Sequence, residues 1–285
     1  MRPFMQVDVF AAAPYTGNPV GVVFDGSDLT VDQMAAMTRW TNLSEVTFVS
    51  PATHPEADYR VRIFTSASPT ESRADGGYEL PFAGHPTLGT CHAWLESGGA
   101  PSRPDLVIQE CDTGLVPIRR TGHGLAFSAP PLLRSGAVDG DLLARIAAAL
   151  RIDSKLIVDA AWADNGPGWV AVMLPSAADV LALRPGFVDV DLGVVGPYPA
   201  GSPVAFEVRA FFPRDGATVE DPVTGSLNAS LAQWLLGSGR ASAPYTASQG
   251  TVLGRSGRVH VSRDADGTIW VGGGTITCIS GEVAL

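Results

Sequence analysis

The sequence predicts an α+β fold built from two similar lobes. In both halves of the 285-residue chain, β-branched and aromatic runs typical of strands outnumber helical patterns. Each half also contains one long helical stretch with a Gly and a Pro at its start. Pro130-Pro131 marks a connection near the middle. We therefore expect lobes at residues 1–128 and 129–285, with the last strand free to return to the first lobe, and suspect a structural duplication.

Local patterns define the elements of the first half. Apolar residues recur at helical spacing over Thr30–Thr38, where Thr30 suits the N-cap. A helix is expected over His85–Glu96, directly after Gly84. Pro86 would lie in its first turn, where a missing N–H costs nothing. Strands are expected at Gln6–Phe10, Val20–Phe24, Glu45–Val49, Tyr59–Phe64, Leu106–Cys111, Leu115–Arg119 and Leu125–Ser128.

The second half repeats this succession of strands and helices. An amphipathic helix is expected over Asp139–Leu150, a short helix over Ser176–Leu183, and a long helix over Pro222–Leu236. Gly272-Gly273-Gly274 predicts a turn or bulge between the last two strands. Strands are expected at Leu156–Asp159, Trp169–Leu174, Ala205–Phe212, Val259–Val261, Ile269–Val271 and Thr275–Ser280.

Composition and charge exclude several classes of function. The net charge of −10 argues against nucleic acid and anionic membranes as partners, because both need clustered Lys and Arg. No apolar run resembles a signal peptide or a membrane span. The three cysteines form no C-x-x-C pair, which fits reduced thiols and a cytoplasmic location.

The first candidate for chemistry is Glu45, in the segment Asn42–Phe48. Its carboxylate stands at the start of an otherwise apolar strand. Apolar surroundings disfavour a charged group unless it is paired or used, so Glu45 is a candidate acid or base. A solvated strand end is the structural alternative.

The second candidate is the start of the helix at Gly84 and His85. Gly84 permits close approach of a ligand to the backbone, and the amides near His85 and Thr87 lie where a helix favours an anion. The imidazole of His85 could hold or pass a proton. An ordinary capped helix with a surface histidine is the alternative.

The third candidate is the segment Val219–Ala229. Asp221, Pro222 and Gly225 precede a helix, and Ser226 adds a hydroxyl. Amides near Gly225 and Ser226 could form a second anion site. Asp221 acting as the N-cap of a helix beginning at Pro222 is the alternative.

Taken together, these segments resemble the PhzF-like phenazine-biosynthesis isomerase family. The likeness runs from about Gln6 to Val283, and several motifs in one order are far more specific than any single motif. The matching segments are Gly17–Pro19, Leu43–Glu45, Glu79–Gly89, Glu220–Ser226 and Ser248–Arg255.

The resemblance implies a diaminopimelate epimerase-like fold, with a mostly antiparallel or mixed sheet wrapped around a central helix in each lobe and the active site between the lobes. It also implies a homodimer and catalysis without cofactor or metal. The family's catalytic carboxylate maps onto Glu45, and a cleft-bordering loop position onto Asn18. Its supporting positions map onto Gly84, His85, Asp221, Gly225 and Ser226.

The expected reaction moves a proton on a small carboxylate-bearing substrate, as in a trans-2,3-dihydro-3-hydroxyanthranilate isomerase. Glu45 would act as general base and then acid, assisted by His85 and Asp221 as donor and acceptor, while amides around Gly84 and Gly225 would bind the developing negative charge. The segment Ser66–Tyr78 is longer than the family pattern and could reshape the entrance to the site or the dimer surface.

Three other functions remain open. An amino-acid racemase or epimerase of the same fold would favour a thiol pair, and no Cys occupies position 45 or the Asp221–Ser226 segment. A serine hydrolase using Ser226, His85 and Asp221 would need a G-x-S-x-G elbow, which is absent from the sequence. A non-catalytic small-molecule-binding protein would be distinguished by its failure to exchange deuterium into a ligand.

Overall fold

The computed structural model describes residues 1–66, 79–214 and 216–285. It divides into two compact units: unit 1 comprises Met1–Ser128 and Gly272–Leu285, and unit 2 comprises Ala129–Val271. Both units combine a mixed sheet with few helices, which confirms the α+β fold class. In the part of the chain that the structure describes, no helix is long and apolar enough to cross a membrane.

Unit 1 is a mixed sheet wrapped around one helix. Its elements are β1 Arg2–Val9, β2 Asn18–Val23, α1 Val31–Thr41, β3 Glu45–Ser50, β4 Tyr59–Thr65, β5 Glu79–Leu80, α2 Gly84–Glu96, β6 Leu106–Cys111, β7 Gly114–Thr121, β8 Gly124–Ser128 and β18 Thr275–Val283. The strands pair in the order β18-β1-β2-β3-β4-β6-β7-β8. The β2–β3 and β4–β6 pairs are parallel, and short β5 joins β4.

Helix α2 is the buried centre of unit 1. It contacts β1, β2, β3, β6, β8 and β18, and its residues from Gly84 through Cys91 are buried. A Cβ at Gly89 would lie 2.3 Å from Val20 Cγ1, so glycine permits the close approach of α2 to β2. Helix α1 packs Met34 and Met37 into a separate cluster with residues such as Phe48.

Unit 2 has the same plan. Its elements are β9 Arg134–Ala137, α3 Gly140–Leu150, β10 Asp159–Asp164, β11 Val170–Met173, α4 Ala177–Ala182, β12 Leu192–Pro197, β13 Phe206–Arg214, β14 Ala217–Asp221, α5 Gly225–Gly237, β15 Tyr245–Gln249, β16 Gly257–Arg263 and β17 Ile269–Gly273, whose last two residues belong to unit 1. The strands pair in the order β9-β10-β11-β12-β13-β15-β16. Parallel pairs again fall at β11–β12 and β13–β15, and short β14 joins β13.

Helix α5 takes the place in unit 2 that α2 has in unit 1. Its residues from Gly225 through Ala232 are buried. Leu227 packs so closely on β12 that a Cβ at Gly193 would lie 2.1 Å from Leu227 Cδ1. The matching succession of antiparallel and parallel pairs in the two units is the arrangement that a duplicated unit produces.

Several local expectations need correction. The glycines Gly272–Gly274 form no simple turn, because Gly272 and Gly273 end β17 and a Cβ at Gly272 would lie 2.3 Å from the Leu125 carbonyl oxygen. Close backbone approach therefore explains Gly272 and also Gly274, where a Cβ would lie 2.3 Å from the Ala11 carbonyl oxygen. The strand expected at Leu156–Asp159 is wrong, since β10 begins where it should end. Strand β12 was not predicted.

Candidate active site

Glu45 and His85 form a close pair inside unit 1. Glu45 is the first residue of β3 and His85 is the second residue of α2. His85 Nε2 lies 3.3 Å from Glu45 Oε2, and the two side chains are only 6% and 14% exposed. A solvated strand end and a surface histidine are therefore wrong descriptions of these residues.

Asn18 lies on the other side of the His85 ring. Its Nδ2 is 3.4 Å from His85 Nδ1, and Asn18 is 1% exposed at the start of β2. The buried Asp8 carboxylate shapes the loop before Asn18 by accepting hydrogen bonds from the amides of Thr16 at 2.8 Å and Gly17 at 3.0 Å. The Gly17–Pro19 motif thus places an amide group against the imidazole.

His85 is held neutral by its surroundings. Burial lowers the pKa of His85 from 6.5 to about 3, opposed by a smaller effect of a hydrogen bond with the Pro19 carbonyl. The Glu45 carboxylate lies beside Nε2 and the Asn18 amide beside Nδ1, and the Pro19 carbonyl accepts a hydrogen bond from the ring. A neutral imidazole can donate one hydrogen bond through its N–H and accept one at its other ring nitrogen.

Helix α2 begins without a side-chain cap. Its N-cap residue is Ala83, whereas α1, α3 and α4 are capped by the side chains of Thr30, Asp139 and Ser176. The Thr87 amide, an expected contributor to an anion site, instead donates to the Ala83 carbonyl at 3.1 Å. The first-turn amides that remain for such a site are those of Gly84 and His85, because Pro86 has no N–H.

In unit 2, Asp221 ends β14 and precedes α5. The helix begins at Gly225, three residues later than predicted, and its N-cap is Thr224. Asp221 is therefore not the N-cap: its Oδ2 accepts a hydrogen bond of 2.6 Å from the Thr224 hydroxyl. As in α2, no side chain caps the first turn of α5.

Ser226 is held by two residues, Trp169 and Asn165, that no sequence motif singles out. Ser226 Oγ accepts a hydrogen bond from Trp169 Nε1 at 3.1 Å, and its carbonyl accepts one from Asn165 Nδ2 at 2.9 Å. Because an indole nitrogen only donates, Ser226 Oγ is the acceptor in this contact and its own hydrogen is directed elsewhere. A buried indole signals a hidden partner, but that partner lies 57 positions away in sequence.

The structure therefore gathers the candidate residues in two groups. Asn18, Glu45, Gly84 and His85 lie in unit 1, and Asp221, Gly225 and Ser226 lie in unit 2. Residues 67–78 of the Ser66–Tyr78 insertion lie outside the described residues.

Two of the three free cysteines are buried, and side chains of the types that bind metals are dispersed in the described ranges. Among residues 1–66, 79–214 and 216–285, no group of three or more His, Cys, Asp and Glu side chains is gathered for a metal. Burial raises the pKa of Cys91 to about 12 and also raises that of Cys111. Both thiols are therefore poor bases at neutral pH.

Solved structures and curated relatives show which proteins this chain is similar to. A PhzF-family phenazine biosynthesis protein from Bacillus anthracis superposes with a TM-score of 0.80, covering 100% of this chain and 99% of that one; at 20% identity this likeness shows the fold alone. The trans-2,3-dihydro-3-hydroxyanthranilate isomerase of Pseudomonas aeruginosa is 34% identical, over 94% of this chain and 92% of that protein. "Antisense-enhancing sequence 1" of Schizosaccharomyces pombe is 35% identical, over 98% and 97% respectively.

A family model extends the match along nearly the whole chain. The model described as "Phenazine biosynthesis-like protein" matches residues 7–281. The chain belongs to this PhzC-PhzF family of isomerases.

Proposed function

We propose that this protein is a cofactor-independent isomerase that moves a proton on a small carboxylate-bearing substrate, with Glu45 as the general acid and base. The observation that carries the proposal is the Glu45–His85 pair, 3.3 Å apart and largely buried at the start of α2. The similarity to a trans-2,3-dihydro-3-hydroxyanthranilate isomerase supports that type of reaction.

The proposed reaction is a proton shift within one substrate. The Glu45 carboxylate takes a proton from a carbon next to a carboxylate or an extended π-system, and the electron pair of the broken C–H bond moves into that system. The protonated Glu45 then returns the proton to another carbon or to the other face. No oxidant, reductant or leaving group is involved, so substrate and product are isomers.

His85 is proposed to assist as a neutral partner. Because its pKa of about 3 keeps His85 uncharged, the imidazole does not pair with the Glu45 carboxylate as a cation. The carboxylate therefore stays available to the substrate. Its contact with Asn18 fixes the ring, and its N–H can donate to Glu45 or to a substrate oxygen. Glu45 is thereby held in one position through both proton transfers.

Unit 2 is proposed to supply binding groups. Asp221 would accept a hydrogen bond from the substrate, and the Ser226 hydroxyl would donate one to its carboxylate, because Trp169 leaves that hydrogen available for another acceptor. The amides at Gly225 and Ser226 begin a helix that no side chain caps, where the dipole favours an anion.

The proposal includes a homodimer working in the cytoplasm. Three free cysteines suit a reducing compartment. Analytical ultracentrifugation of the purified protein tests the dimer, which would sediment at twice the 29.7 kDa chain mass.

The experiment uses trans-2,3-dihydro-3-hydroxyanthranilate in D₂O, monitored by NMR. We expect the wild type to isomerise it with deuterium entering at carbon, and Glu45→Gln to lower kcat by about 10²–10⁴-fold. Glu56→Gln, at a glutamate 62% exposed, is the matched control and should keep the wild-type rate.

Retained turnover in folded Glu45→Gln would show that Glu45 is not the base. A wild type that binds the compound without deuterium exchange would instead support a binding protein.

A thiol-based racemase is the weaker alternative. It needs two reactive thiols, whereas burial keeps Cys91 and Cys111 protonated. Exchange of the α-proton of free amino acids in D₂O would revive it.

A further inference from the structure

We propose that Gln249 is a positioning residue that fixes the direction of the Thr224 hydroxyl and thereby holds the Asp221 carboxylate in its working orientation. This inference rests on the proposed role of Asp221. Gln249 ends β15, is fully buried, and lies 28 residues beyond Asp221 in sequence.

The orientation of the Gln249 amide is fixed by groups whose roles are certain. Its Oε1 accepts from the backbone N–H of Thr224 at 3.0 Å, and its Nε2 donates to the backbone carbonyl of Asp221 at 3.3 Å. A backbone N–H can only donate and a carbonyl can only accept, so the amide cannot be flipped. Asn228 Nδ2 also donates to Oε1, at 2.8 Å.

This orientation determines where the Thr224 hydrogen points. Gln249 Nε2 donates to Thr224 Oγ1 at 2.9 Å, so the hydroxyl oxygen is the acceptor in that contact. The single hydroxyl hydrogen is then directed to Asp221 Oδ2, 2.6 Å away. The result is a one-way chain from Gln249 through Thr224 to Asp221, which ends on a carboxylate oxygen that must accept.

The same series of hydrogen bonds explains why the Thr224 side chain does not cap helix α5. Threonine is a favoured N-cap residue, yet here no side-chain cap is made because Oγ1 serves Gln249 and Asp221. Gln249 thus orients Asp221 and also leaves the first turn of α5 without a side-chain cap. Thr224 and Gln249 are positioning residues, because they act through Asp221.

Two variants interrupt the hydrogen bonds from Gln249 through Thr224 to Asp221 at different places. Thr224→Val removes the hydroxyl while keeping the branched shape, and Thr224→Ser restores it. Gln249→Glu keeps an oxygen facing the Thr224 amide but replaces the Nε2 donor with an acceptor, so the Thr224 hydroxyl is drawn away from Asp221. Thr246→Val, which removes a hydroxyl contacting His260 elsewhere in unit 2, is the matched control.

The experiment measures kcat and KM on trans-2,3-dihydro-3-hydroxyanthranilate and determines crystal structures of wild type and variants. We expect Thr224→Val and Gln249→Glu to lower kcat by about tenfold to hundredfold, the effect of losing a hydrogen bond to a charged group. KM should change less than kcat. Thr224→Ser and Thr246→Val should stay within about threefold of wild type, and Asp221 should rotate only in the first two variants.

Three results would overturn the proposal. They are wild-type kcat in Thr224→Val, failure of Thr224→Ser to restore the rate, and an unmoved Asp221 side chain in the Thr224→Val crystal structure. If Thr224→Val does not fold, Gln249→Glu provides the same test.

A wild type that does not turn over the compound would count against the proposed function alone. The position of Asp221 in the variant crystals would still decide whether Gln249 and Thr224 orient it.

Discussion

Burial of a neutral His85 makes a specific prediction about stability and pH. In the unfolded chain this imidazole takes up a proton near pH 6.5, whereas in the folded protein its pKa is about 3. Above pH 6.5 both states are neutral and His85 contributes no pH dependence. As the pH falls from 6.5 towards 3, only the unfolded state gains the proton, so the folded state loses stability.

The magnitude follows from the size of the shift. Each pH unit between the two pKa values is worth about 1.4 kcal/mol, so the full loss below pH 3 is about 5 kcal/mol. At pH 5, about 1.5 units below the unfolded pKa, the loss is about 2 kcal/mol. Carboxylates elsewhere also contribute to acid unfolding, so this part must be isolated with a variant.

The assay is urea unfolding of wild type and His85→Gln at several values between pH 8 and pH 5. We expect the difference in unfolding free energy between the two proteins to shrink by about 2 kcal/mol over this range, because only the wild type loses the His85 contribution. A constant difference would refute the reasoning, as would an NMR titration that places the His85 midpoint near 6.5. In the same range, kcat should show no inflection from His85.

Two further substitutions test the surroundings of the site. Trp169→Phe removes the indole N–H that donates to Ser226 Oγ, so KM should rise about twofold to tenfold. The control Trp270→Phe loses an indole hydrogen bond elsewhere and should leave KM unchanged. Equal effects of the two variants on KM would contradict the role of Ser226 in binding. Gly17→Ala places a Cβ 2.0 Å from a backbone carbonyl oxygen of β1, so urea titration should show an unfolding free energy lower by about 1–3 kcal/mol. The control Gly140→Ala has open space around its Cβ and should leave the unfolding free energy unchanged. Equal stability of the two variants would contradict the close approach at Gly17.

The sequence predicted best those elements whose ends are defined locally. Thr30 was expected to cap α1, and the structure shows a complete capping box with Gln33. The helix expected at Asp139–Leu150 is observed at Gly140–Leu150 with Asp139 as its cap. In each case the capping contact spans three residues, so the information lies within the segment itself.

Prediction failed where a partner distant in sequence decides the local structure. The helix α5 was expected at Pro222 but begins at Gly225, since Gln249 and Thr224 hold residues 221–224 in a different conformation. Strand β12 has the sequence Leu-Gly-Val-Val-Gly-Pro, whose two glycines and proline weaken its strand pattern. It forms between β11 and β13, where Gly193 gives room to Leu227.

The candidate site shows the same division. Glu45, His85 and Asp221 could be named from motifs because their residue types carry the proposed chemistry. Trp169 and Gln249 could not, since an indole and an amide serve many structural purposes and their contacts with Ser226 and Thr224 span 57 and 25 positions. Such supporting residues become visible only when the chain is folded.

The pairing of β1 with β18 has a consequence for the order in which the protein is built. Arg2 stands opposite Val283, so β1 pairs with a strand that is synthesised only after the whole of unit 2. The sheet of unit 1 therefore cannot be completed until all of unit 2 has been synthesised. Until then, one edge of β1 has no strand paired with it. This long-range closure favours slow completion of unit 1 and makes the segment Gly272–Leu285 a requirement for a finished sheet.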